Sequence, residues 1–278
     1  GWFIHFNLHC VARTLSRHAA MTQTPPTSQR VLITGAGKRL GRHIALALAR
    51  RGWSVVVHHH HSAQEAQATV AECAQLNPNG THHSLRADLS VTQEVQALIK
   101  QACTQPLHAV VNSASLFVHD RPETPDPELM QRHWQINTLA PALLTQGLAA
   151  HCQAQQQRGV VVNLLDQKLF NPNPDFFGYT LSKAALACAT TLGAQALAPH
   201  LRVVGVAPGL TLTSHMLSDE AFAKLHQLSP LGQSSTPDDV ASTVAFALEN
   251  GSITGTTLLV DGGQHLMPMA QDFSLMTP

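Results

Sequence analysis

From Arg30 onward, short β-branched runs alternate with longer alanine- and leucine-rich stretches. The runs RVLIT (30–34), SVVVHH (54–59), HHSLRA (82–87), AVVN (109–112), VVVNLL (160–165), RVVGVA (202–207) and TLLV (257–260) have the length and composition of strands. Between them, residues 40–52, 62–76, 92–103, 137–157, 179–198 and 236–250 repeat apolar positions at helical spacing. Strands that alternate with helices of this length predict βαβ units. The expected fold is α/β: one doubly wound, seven-stranded parallel sheet with helices on both faces. No internal repeat or linker divides it, so a single domain is expected over 29–265, with a C-terminal tail at 266–278.

The longest interruption, 209–236, is mixed polar and small, with a short helix expected at 214–227. An insertion of this size near strand ends reads as a substrate-covering loop. At the other end, GWFIHFNLHCVARTLSRHAA contains aromatic and basic residues, but His5, Asn7 and His9 break any apolar leader core. TQTPPTS follows Met21 as a polar linker. Residues 1–28 are expected to lie outside the fold, with Met21 as the initiator.

Composition narrows the class. Charged residues make up 12% of the 278 and the formal net charge is zero, which gives no electrostatic case for nucleic acid or an anionic membrane. A surface so poor in charge is easily buried against another copy. The five cysteines, Cys10, Cys73, Cys103, Cys152 and Cys188, form no C-x-x-C pair. That spacing argues against a zinc ribbon or disulfide framework and fits a reducing cytoplasm. No apolar run approaches a membrane span.

The first strand runs into TGAGKRLG (34–41), where Gly35, Gly37 and Gly41 stand between a strand and a helix. Glycines there permit a tight turn and close backbone approach to a pyrophosphate at the helix N-terminus, the Rossmann arrangement. An NAD site ends its second strand with an acid for the ribose 2′-hydroxyl. Here that strand ends VVVHHHHS, with His60, His61 and Ser62 where the acid would stand, Lys38 in the glycine loop, and no acid before Glu65. Donors without a carboxylate suit a 2′-phosphate, so NADPH is expected over NADH. The four consecutive histidines alternate faces along a strand and cannot converge on one metal, so no metal site is expected.

TGAGKRLG, ADLS (87–90), NSAS (112–115), Asn137, YTLSK (179–183), PG (208–209) and DGG (261–263), in this order and spacing, resemble the short-chain dehydrogenase/reductase family over 30–265. Three departures narrow the resemblance: Arg39 replaces a loop glycine, Asp166 replaces the usual active-site serine, and NSAS with Phe117 replaces N-N-A-G. These features are similar to those of pteridine reductases and bacterial dihydromonapterin reductases. The resemblance implies a catalytic set of Asp166, Tyr179 and Lys183, with Lys183 also holding the nicotinamide ribose and Asn137 ordering a water-linked proton path. It further implies cofactor contacts from Leu40, Asp88, Leu89, Asn112, Ser113, Ala114, Ser115, Pro208 and Gly209. Substrate contacts are implied for Arg39, Ser115, Phe117, Asp166, Tyr179 and Leu210.

Tyr179 and Lys183 lie one helical turn apart. A nearby lysine cation is expected to favour the phenolate and ease proton exchange. An ionised Asp166 would repel a ketone oxygen, because a carboxylate only accepts hydrogen bonds. Coupled to Tyr179 it can help protonate a nitrogen, which argues for C=N reduction in a pterin; a cap beyond the strand is the plainer alternative. The expected activity is NADPH-dependent reduction of a dihydropterin by a homotetramer. A ketone or 3-oxoacyl reductase, and a catalytically idle dinucleotide-binding protein, stand as alternatives.

Overall fold

A computed structural model describes residues 29–213 and 218–276. The expected N-terminal extension therefore lies outside the described residues. Seven strands, β1 (Arg30–Ile33), β2 (Ser54–His59), β3 (His83–Arg86), β4 (Ala109–Asn112), β5 (Gly159–Leu164), β6 (Leu201–Pro208) and β7 (Thr257–Val260), form one sheet in the order 3-2-1-4-5-6-7. All six pairings are parallel. Their alternation explains the near-continuous apolar runs, because a parallel sheet is covered on both faces. Val31, Ile33, Val55 and Val57 pack on one face against Ile44 and Leu48 of α1 (Arg39–Arg50) and Val240 and Val244 of α8 (Pro237–Glu249). Leu32, Val56, Val110 and Val161 point to the other face. There they meet α3 (Thr92–Ala102), α5 (Ala140–Ala154) and α6 (Phe177–Leu197). Burying each such side chain contributes about 1.5–3 kcal/mol before entropy is counted.

Two departures from the sequence reading matter for the site. The helix expected over 137–157 opens in a π-helical turn over Gln135–Leu139 and continues as α5, and it is preceded by a helix the sequence reading did not include, α4 (Pro127–Trp134). Helix α4 starts where Asp126 Oδ1 accepts the amides of Glu128 and Leu129 at 2.9 and 3.2 Å, with Pro127 in the first turn. That is an ordinary start signal, a capping acid followed by proline. The expected 214–227 helix is α7 (Asp219–Gln227), capped by Ser218.

The second departure is at the C-terminus, where the segment beyond 265 is packed on the domain. Phe273 is buried beside Leu225 of α7. The Asn171 side-chain amide donates to the Met267 carbonyl, and the Asp272 amide donates to Asp175 Oδ2 at 2.8 Å.

Candidate active site

Strand order reverses between β1 and β4, and the crevice outside their carboxyl ends is where such sheets take ligands. Thr34 ties the two strand ends together, its hydroxyl accepting the amides of Ser113 and Ala114, both at 3.0 Å. Gly35 turns away at φ +66°, with the Ala114 backbone against it. A Cβ at Gly41 would sit 2.4 Å from the Gly35 carbonyl oxygen, so no side chain can stand there. No side chain caps α1, and its first turn holds no acid. Its amides and positive end are thus a site for a phosphate group, and the expected pyrophosphate cradle fits these residues. Arg39 enters the helix at φ +50° and donates from Nη2 to the Thr213 carbonyl at 2.7 Å, joining the glycine loop to the segment after β6.

The histidine run divides between two jobs. His58 is buried; its Nδ1 accepts the Gly35 amide and its Nε2 donates to the Ala87 carbonyl, both at 3.1 Å. Burial lowers its pKa to about 4. The rings of His60 and His61 lie 3.5 Å apart, and His60 Nε2 is 3.6 Å from Asp88 Oδ2. Ser62 packs against Gly37. Lys38, expected to be ready for the 2′-phosphate, instead pairs with Glu65 at 2.6 Å on the surface, because the first turn of α2 (Ala63–Leu76) brings that acid back to the loop. Among the described residues no group of three or more histidines, cysteines and acids could hold a metal.

Two expected cofactor residues have side chains turned into the fold. Leu89 is buried with Val56 and Ala87 in the core. Asn112 belongs to a buried ladder: its Nδ2 donates to Asn163 Oδ1 at 2.8 Å, and Asn163 Nδ2 donates to Thr190 Oγ1 at 2.9 Å. Its side chain thus ties β4 to β5 and α6, since a buried amide must find partners inside the sheet. Asp88 accepts from the Ser90 amide and hydroxyl at the end of β3.

The remaining candidates converge. One cleft is lined by Arg39, Leu40, Ser113, Pro208 and Gly209 together with Ser115, Phe117, Asp166, Tyr179, Lys183 and Leu210. Asp166 is the hinge between strand and site. It caps the 3₁₀ turn Gln167–Leu169, Oδ1 accepting the Lys168 amide at 2.8 Å. Its Oδ2 accepts the Tyr179 hydroxyl at 2.7 Å. The residue that caps the turn and the residue bonded to the Tyr179 hydroxyl are therefore one and the same. Lys183 donates to the Leu164 carbonyl at 2.6 Å and lies 5.8 Å from the centre of the Tyr179 ring.

Electrostatics at this trio differ from expectation. Burial, then the Asp166 carboxylate, push the Tyr179 phenol well above its ordinary pKa. Lys183 was expected to favour the phenolate, but it is itself lowered to about 8 by burial. Burial also raises the Asp166 carboxyl. Burial and the adjacent acceptor carboxylate both favour the protonated phenol. Asn137 sits in the π-helical turn. Its Oδ1 accepts the Leu116 amide at 2.8 Å and its Nδ2 donates to Ser182 Oγ at 3.0 Å. Its side chain thus braces the Ser115–Leu116 loop against α6. Phe117 stacks on Phe176 at 4.0 Å and meets the Tyr179 ring edge-on at 4.7 Å.

Sequence reasoning missed Phe176, Lys168 and the segment Asp272–Ser274. Phe176 is fully buried at φ +55°, a strained backbone that props Phe117. The only sequence sign was the aromatic pair Phe176–Phe177 just before Tyr179. Asp272, Phe273 and Ser274 line the same cleft as Asp166.

The family profile described as Enoyl-(Acyl carrier protein) reductase matches residues 35–265. The chain is 31% identical to Protein FixR of Bradyrhizobium diazoefficiens over 255 residues, covering 85% of this chain and 86% of that protein. It is 31% identical to the 3-oxoacyl-[acyl-carrier-protein] reductase FabG of Staphylococcus aureus over 248 residues, covering 84% of this chain and 97% of that protein. Among solved structures it resembles FolM alternative dihydrofolate reductase 1 from Brucella canis, complexed with NADP, with TM-score 0.81 and 37% identity over 86% of this chain and 94% of that one. The Brucella suis counterpart, also with NADP, gives TM-score 0.79 and 36% identity over 86% and 96%. The glycine loop at the switch point, the Tyr179–Lys183 turn and these matches agree: the chain belongs to the short-chain dehydrogenase/reductase family.

Proposed function

We propose that this protein is an NADPH-dependent reductase of a dihydropterin, the class that includes dihydromonapterin, dihydrobiopterin and dihydrofolate. The observation that carries the reading is the hydrogen bond from the Tyr179 hydroxyl to Asp166 Oδ2. A serine there would help a ketone oxygen; a carboxylate bonded to the tyrosine is suited to placing a proton on a ring nitrogen. The NADP complexes of the two FolM structures support the cofactor. NADPH supplies the hydride. Gly35, Gly37, Gly41 and the α1 N-terminus hold its pyrophosphate, with Arg39 alongside, and Lys38, His61 and Ser62 meet the 2′-phosphate. Phe117 offers the ring face not covered by Phe176 to a flat heterocycle. Tyr179 and Asp166 deliver one proton to the nitrogen of the reduced C=N bond, and Lys183 keeps a positive charge beside them.

A second reading, reduction of a 3-oxoacyl or other ketone substrate, is favoured by the likeness to FabG. Consumption of NADPH, followed by absorbance with dihydropterin and 3-oxoacyl panels, separates the two. Turnover of a dihydropterin at a kcat/KM well above that of any ketone is the expected result; the reverse order would replace the first reading by the second. We further propose a cytoplasmic homotetramer joined through the exposed apolar face of α6, where Leu181 and Leu192 lie. Among the described residues no helix is long and apolar enough to cross a membrane.

A further inference from the structure

Lys168 is one of the largest fully buried side chains of the protein, at 2% exposure, and no step of the chemistry above uses it. A buried ammonium is costly unless it is paired and hydrogen-bonded. Its Nζ pairs with Asp272 Oδ2 at 3.0 Å and donates to Asn173 Oδ1. It also lies 5.8 Å from the centre of the Phe176 ring, which backs Phe117. Asp272 is gripped further by its own surroundings: Oδ1 accepts the Ser274 amide and hydroxyl at 3.0 and 2.6 Å, and its amide donates to Asp175. Asp175 in turn accepts from Arg121 at 2.7 Å. The main-chain amide of the same Lys168 donates to Asp166. One residue thus touches three walls of the cleft, two through its side chain and one through its backbone.

We propose that Lys168 is a positioning residue that anchors Asp272–Ser274 as a substrate-facing wall and holds that wall in register with Asp166. The wall lines the same cleft as Phe117, Asp166 and Tyr179, and its role is to select among substrates, not to bind the dinucleotide. This rests on the reading of the Asp166–Tyr179 cleft as the substrate site. The rival account is a buried ion pair that only stabilises the fold.

The test compares the full chain with Lys168→Met, Asp272→Asn and the double variant. In the NADP-bound protein, amide hydrogen exchange over 267–276 should speed up in Lys168→Met and in Asp272→Asn while the sheet amides keep their protection. Substrate KM should rise by about tenfold or more with kcat changed far less, and NADPH affinity should stay within about twofold. The double variant should be no worse than Lys168→Met alone, because both changes break one link. Unchanged exchange at 267–276 together with unchanged KM would overturn the proposal. So would an equal loss of NADPH affinity and kcat, which marks general destabilisation. Should Lys168→Met fail to fold, the near-isosteric Asp272→Asn decides by the same two readouts. Should the wild type reduce no dihydropterin, the function proposed above fails separately, and the exchange comparison, which needs only NADP, still decides the anchor.

Discussion

The hydroxyl of Tyr179 donates to Asp166 Oδ2 at 2.7 Å, so the proton donor and its carboxylate form one unit before any substrate arrives. Asp166 also caps the Lys168 amide, and a serine hydroxyl can take over that cap. Asp166→Ser therefore removes the carboxylate with little harm to the turn. Dihydropterin turnover is expected to fall by about 10²–10⁴-fold, the usual cost of a positioned acid-base group. Tyr179→Phe should fall similarly, and the double variant should lose much less than the product of the two. Single-turnover rates at saturating cofactor measure this; wild-type rates for Asp166→Ser would leave the carboxylate a cap and nothing more.

The pairing of Lys38 with Glu65 sets a limit on cofactor affinity. Any 2′-phosphate must compete with that carboxylate for the ammonium. Glu65→Gln should tighten NADPH several-fold at low salt and less at high salt, because exposed charges are screened. Lys38→Ala should weaken NADPH more than NADH. Fluorescence titration of both cofactors at two ionic strengths tests the pair, and equal shifts for NADPH and NADH would contradict the assignment.

Acid should destabilise the fold through histidines that act as acceptors. Besides His58, His82 accepts the Val55 amide at 3.2 Å, and His108 and His151 accept the Arg30 and Leu107 amides, both at 3.1 Å. Burial lowers the pKa of all four. Their folded-state pKa values lie below the unfolded value, so the unfolded chain binds more protons in acid. Their contribution is complete above the ordinary histidine value of 6.5 and is lost as pH falls toward about 4, the value for His58. His58 alone accounts for on the order of 3 kcal/mol across that span. Denaturant unfolding at several pH values in this window should show the decline, and flat stability would refute it.

The exposed face of α6 is where assembly should be attacked. Leu181 and Leu192 are 46% and 58% exposed, an apolar stripe that an isolated domain would leave in water. Light scattering is expected to show a tetramer for the wild type and a smaller species for Leu192→Glu. A monomeric wild type at micromolar concentration would remove the basis for this assembly.

Strands β2, β4 and β7 match their sequence limits residue for residue; in β2 and β4 the reason is an apolar run buried on both faces, which leaves little else for the chain to do. Gly35, Gly41, Asp166, Tyr179 and Lys183 were legible for a related reason: each is set by local geometry. Lys168 and Asp272 were not, since they meet across a separation of 104 residues and no spacing rule links them. The bond from Asn112 to Asn163 was not legible either, since it joins residues 51 apart across neighbouring strands. The direction of the Tyr179 shift was not legible because a sequence shows the lysine but not the burial and the carboxylate that act on the phenol.

Arg39 holds a left-handed backbone, φ +50°, at a position where a glycine would sit without strain. Such a residue costs on the order of 1 kcal/mol. Directed evolution that rewards heat resistance alone should therefore drift to Arg39→Gly, and the melting temperature should rise even as the bond to the Thr213 carbonyl is lost. Libraries meant to keep catalysis must be screened for turnover at this position, because here robustness and function pull the same codon in opposite directions.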